Sequence, residues 1–245
     1  MLLTCIRTEF MKLRRSFVWL SCFVLPIIPA ILGSGNYYLN LSILNGQWYA
    51  LWTQHSLFYS CFFFAPLIAV YCAYLWRVEN YGHNRNVLMT VPVPLSCIYF
   101  GKLTVCVIVT VLTQLWVFLL FAICGKFLDL PGLPPLEILW WCARGTLGGI
   151  AIAAAMLLLS QCIRSFALPI GLSLVLTMIG FLISNKDEMA RLLFPFSLVT
   201  AGMNANTYDD MLGGQTPRFL ASCVLWFILF STTAIWLLRR QDVRA

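Results

Sequence analysis

The 245-residue chain is 61% hydrophobic and 10% charged, with a formal net charge of +7 and a mean hydropathy of +0.86. A globular protein carries roughly 25% charged residues, so the composition excludes one or two soluble domains. It describes an all-α, polytopic membrane protein with no stretch outside its apolar runs long enough for a nucleotide-binding domain, so energy must come from another chain or an ion gradient.

Six runs approach the ~20 apolar residues needed to cross a bilayer. The first covers 16–34, follows a basic cluster and lacks a small-residue cleavage site, so it reads as a retained helix. Pro26 and Pro29 predict a kink near its outer end. Residues 35–55 hold neither acid nor base. Their Trp48, Tyr49 and Trp52 suit an interfacial aromatic belt. Asn40–Ser42 fits the glycosylation sequon. The second span covers 57–76.

A polar island follows at 77–102, RVENYGHNRNVLMTVPVPLSCIYFGK, between two runs (16–76 and 103–125) without Asp, Glu, Lys or Arg. Such an island belongs at a membrane surface. Within it, Glu79 to about Met89 suits a short helix, stopped by Pro92 and Pro94, which disfavour helix at Val91 and Val93. The pattern fits either an amphipathic surface helix that a soluble partner grips or an ordinary interfacial loop.

The third span covers 98–124 and the fourth 139–162. Arg144 lies just inside the outer end of the fourth span. It marks a pathway or packing position, or snorkels to the surface beside Trp140 and Trp141, and its shallow depth favours snorkelling. The small residues after it, with Gly145 and Gly149 in GxxxG spacing, read as a packing face rather than a pore. The fifth span covers 166–184. An outer loop at 185–217 contains an apolar stretch, LLFPFSLVTAGM, that is interfacial or re-entrant. The sixth span covers 219–238.

Six spans put both termini on one side, and the Lys/Arg bias makes that side cytoplasmic. Eleven of the 16 basic residues then fall inside. The acids Asp187, Glu188, Asp209 and Asp210 fall outside, where they form a solvated loop or attract a cationic peptide. The ten cysteines include no CxxC pair and sit mostly in apolar runs, as free thiols do. His55 and His83 lack metalloprotease spacing, and no Walker A or GxSxG sequence occurs, so catalysis in this chain is not expected.

The layout resembles the ABC-2 type permease subunits of lantibiotic and antimicrobial-peptide immunity transporters. EFMKLRRSFVWL (9–20), WYALWTQHSLFYSCFFFAPLIAV (48–70) and RVENYGHNRNVLMTVPVPLSCIYFGKL (77–103) carry the resemblance. It implies a type V exporter-like architecture, with a short cytoplasmic coupling helix at 77–94 that docks into an ATPase. By position Arg77, Glu79, Asn80, Asn84, Arg85 and Asn86 map to that helix, and family members tend to have an aromatic residue where this chain has Arg85. The resemblance further implies two ATPase copies carrying ATP and magnesium, no cofactor on this chain, and a second permease, identical or homologous. It implies a lantibiotic-like substrate, membrane lipids rather than nucleic acid as surroundings, and a place in the bacterial cytoplasmic membrane. The rivals are a non-transporting scaffold and an exporter of another amphiphile, lipid or drug. An ion-coupled carrier is weaker, because no acid lies within a span.

Overall fold

A computed structural model of the chain describes residues 1–44, 47–80 and 92–240. Among these, six helical stretches are long and apolar enough to cross a membrane: Val18–Leu39, Trp48–Asn80, Leu95–Phe127, Leu136–Cys162, Ala167–Ser184 and Gly213–Arg240. Six crossings return the chain to the side on which it began, called here the termini side; the opposite end is the far side.

The chain opens with α1 (Leu2–Leu13), a helix absent from the sequence expectations. Cys5, Ile6, Glu9, Phe10 and Leu13 turn inward, while Leu3, Arg7, Met11 and Arg14 are exposed. That spacing of three to four residues is one face of an amphipathic helix. The first span is broken into α2 (Val18–Val24) and α3 (Ile27–Leu39). Pro26 caps α3, and Pro29 sits in its first turn, where a missing N–H costs nothing. The break therefore lies nearer the termini side than expected, because Pro26 alone sets it.

The second span begins at Trp48 rather than near 57. Helix α4 (Trp48–Phe58) passes through a π-helical turn, Tyr59–Phe63, into α5 (Phe64–Asn80). Pro66 explains the turn. A proline clashes with the carbonyl four residues back, here that of Phe62, and a widened turn relieves the clash. Much of 35–55 is thus helical, with α3 and α4 packed together beyond their expected ends.

The third span is α6 (Leu95–Phe127) and the fourth is α7 (Leu136–Cys162). Helix α7 forms the centre of the bundle, its most apolar stretch 67% buried, against 17% for the sixth span. Its small residues let α5 and neighbouring helices approach closely. The fifth span is α8 (Ala167–Ser184). After it, α9 (Glu188–Leu193) and α10 (Ser197–Gly202) precede α11 (Thr216–Arg240).

Every residue of α10 is buried, and it packs on α7 and α8, so this part of the 192–203 stretch folds back into the bundle. Two glycines permit this close approach. A Cβ at Gly180 would stand 2.6 Å from the Phe196 carbonyl carbon, and one at Gly202 would stand 2.8 Å from that of Arg144. Irregular backbone at this depth is tolerated where protein surrounds it.

Candidate functional site

Two groups of charges organise the bundle, one at each end. On the termini side, Glu9 of α1, Glu79 near the end of α5 and Lys102 of α6 meet Lys12 of α1. Lys102 is wholly buried, and Glu9 and Glu79 are each 4% exposed. Lys12 donates to Glu9 Oε1 at 2.7 Å and to Glu79 Oε1 at 2.9 Å. Lys102 donates to Glu9 Oε1 at 3.1 Å and to Glu79 Oε1. Its ammonium also lies 5.0 Å from the ring centre of Trp76. Two ammonium groups are thus shared between two carboxylates, so the cluster carries no net formal charge. The Oε2 atoms of Glu9 and Glu79 are buried without a hydrogen-bond partner among the described residues.

Burial disfavours the charged form of Lys12, but Glu79 and Glu9 outweigh it and raise its pKa above the ordinary 10.5. Charge this deep in low dielectric persists only when paired.

On the far side, Arg144 is 2% exposed. Its Nη1 and Nη2 donate to the two carboxylate oxygens of Asp210, at 3.1 and 2.7 Å, and its Nε donates to Gly202 O at 3.3 Å. Arg144 therefore does not snorkel; the loop comes to it. Burial raises the pKa of Asp210, yet the hydrogen bond and charge of Arg144 pull it below the ordinary 3.8. A bidentate fork on a carboxylate is among the strongest pairings available to arginine.

The coupling residues named from sequence divide. Arg77 lies on the exposed surface with its guanidinium 5.2 Å from the ring centre of Phe166. Glu79 points into the bundle, and Asn80 closes α5. Asn84, Arg85 and Asn86 lie outside the described residues. Lys102, read as the edge of a surface island, is instead inside a long helix.

The far-side acids divide too. Asp187 accepts from the backbone N–H groups of Met189 and Ala190, capping α9, and Glu188 accepts from Gln215. Asp210 is held by Arg144. Gly145 faces Met203 and Gly149 faces Phe64, so the GxxxG pair serves contacts within the chain. The Glu9–Lys12 pair was missed from sequence. Its available signal was an acid and a base three residues apart on an amphipathic face.

An all-helical bundle of apolar spans with paired charge at both ends defines a multi-pass membrane protein. Residues 5–180 match the family model of ABC-2 family transporter protein. That is well over half of the chain, and the chain belongs to this family. It is accordingly a membrane component of an ABC exporter, a transport subunit rather than a catalytic one, and works with an ABC ATPase. No curated protein matches the chain.

Proposed function

We propose that this permease, itself binding no nucleotide, removes an amphiphilic cationic peptide of the lantibiotic kind from the bacterial cytoplasmic membrane. Both termini face the cytoplasm. Two ATPase copies, holding ATP and magnesium, dock on 77–94, and a second permease completes the pathway.

The observation that carries the docking reading is the four-charge cluster. Glu79, at the head of the 77–94 segment in α5, and Lys102, just beyond it in α6, are both tied to α1. A push on the segment therefore moves three helices together. The Lys/Arg bias supports the orientation. The substrate class rests on the resemblance and on acids at the far side. Membership in a family of transporters disfavours the scaffold role.

The test uses charge reversal at Arg77 and Arg85. Glu79 is unsuitable, since reversing it would break the buried cluster. Expected are loss of ATPase co-purification and loss of ATP-dependent protection against a cationic lantibiotic, with the permease still inserted. Intact association and protection in the double reversal would reject docking at 77–94.

A further inference from the structure

The far side holds a cavity of 480 Å³ lined by Ile43, Gln47, Tyr49, Glu137 and Tyr208. Four parts of the chain meet there: the turn after α3, the start of α4, the first turn of α7 and the loop that precedes α11. The Glu137 carboxylate accepts one hydrogen bond, 3.0 Å from the hydroxyl of Tyr49. Among the described residues no Lys or Arg forms an ion pair with it. Lys126, a basic group from the same end, donates to Gly132 O and lies 5.9 Å from the ring centre of Trp48. A carboxylate in the first turn of a helix also sits where the N-terminal end of the dipole favours negative charge.

One aromatic wall is held by a ring contact and the other is carried on a shaped loop. Tyr49 leans on buried Trp141, with ring centres 5.8 Å apart at 57°. Tyr208 rides on a loop shaped by left-handed backbone at Asn204 (φ 52) and Asn206 (φ 62). Asn204 Oδ1 accepts from Met211 N at 2.6 Å, and Arg144 clamps Asp210 two residues beyond Tyr208. The cavity, open to solvent, thus presents an exposed carboxylate without an ion-pair partner among the described residues, the Tyr49 ring held by Trp141, and the exposed Tyr208 ring carried on an ordered loop. Carboxylate plus ring faces is the chemistry that holds organic cations.

We propose that this cavity binds an organic cation, an alkylammonium or guanidinium group carried by an amphiphile. The proposal deepens the substrate reading above and rests on it only in assigning the cation to the exported molecule. Two sources share the chemistry: a lysine or arginine side chain of a peptide, and the amine headgroup of a lipid. Glu137 supplies the charge, the Tyr49 hydroxyl orients its carboxylate, and Tyr208 offers the outer ring face.

The full chain in nanodiscs of phosphatidylglycerol is titrated with radiolabelled decanoyl-lysine amide and with its side-chain-acetylated, neutral analogue. Expected is saturable binding of the ammonium form alone. Glu137→Gln should weaken it about tenfold or more, the scale of a lost hydrogen bond to a charged group. Tyr208→Ala should weaken it about threefold, the scale of an exposed cation–π contact, and Asp129→Asn should leave it unchanged. Equal binding to Glu137→Gln, or equal binding of the neutral analogue, would overturn the proposal, provided each variant keeps the wild-type melting temperature.

A second arm replaces phosphatidylglycerol with phosphatidylethanolamine. Competition assigns the site to lipid headgroups, and none assigns it to peptide cations; both outcomes support a cation site. Cation binding lost in Glu137→Gln with lantibiotic protection intact would leave the site standing but detach it from the exported peptide, whereas absence of protection in the wild type would sink the peptide-export reading alone.

Discussion

The two ends of the bundle solve the problem of buried charge differently. On the termini side, four groups from three helices are closed off together, and two carboxylate oxygens remain without a partner among the described residues. On the far side, one guanidinium meets one carboxylate with both oxygens used, and Asp210 keeps 36% of its side chain exposed. The first arrangement is expensive. A hydrophobic set of the same volume is often as stable as a buried ion network, so such a network is weak evidence for stability and better evidence for a register or switch role. The second fastens a loop to a helix. The first joins three helices; the second pins a loop to one helix.

The sharpest way to break this contrast is to remove the most buried cation. Lys102→Met leaves two carboxylates facing a single lysine and should cost about 3–5 kcal/mol, the range for orphaning a buried charge. The double variant Lys102→Met, Glu79→Gln restores neutrality and should recover much of that loss. Thermal unfolding of the purified protein in one detergent checks both. A wild-type melting temperature for Lys102→Met would show that the cluster does not form.

At the far side the effect should be smaller, because water reaches Asp210. Arg144→Ala should cost about 1–3 kcal/mol, the range for leaving a buried acceptor unmatched, here Gly202 O, together with one carboxylate. Asp210→Asn should cost less than Arg144→Ala. Gly202→Ala attacks the same junction through sterics, and overpacking should cost about 1–3 kcal/mol. A double-mutant cycle between Arg144 and Asp210 separates pairing from packing. No coupling would make the pair an incidental contact.

Much of the fold was legible in the sequence. Long uncharged runs left only helices as an option, because backbone polar groups in lipid must be satisfied within the segment. Helix ends were less legible. Residues 48–56 mix aromatic and polar side chains, so they read as an interfacial loop, but burial against α3 and α6 makes them helix. The buried α10 resisted reading because Pro195 breaks a run that is apolar enough to enter the bundle yet too short to cross it. The charges were hardest. Arg144 and Asp210 are 66 residues apart, and Glu9 and Lys102 are 93 apart. No local pattern announces such partners; only the packing of α1 beside α6 and of α10 beside α7 brings them together.

The gentlest test of the contrast uses pH, because the two ends should fail in opposite directions. Asp210 has its folded pKa lowered below 3.8, so its contribution is present above that value and lost as pH falls through the lower folded value. Lys12 has its folded pKa raised above 10.5, so its contribution is complete below that value and lost as pH rises through the higher folded value. Subtracting the melting curve of Asp210→Asn from that of the wild type should give a difference that shrinks only in acid. The same subtraction for Lys12→Met should shrink only in alkali. If both differences vanished in the same pH range, the two ends would share one titration and would not be independent fasteners. Separate collapse at opposite extremes would place the helix-joining charges and the loop-pinning charges under separate electrostatic control.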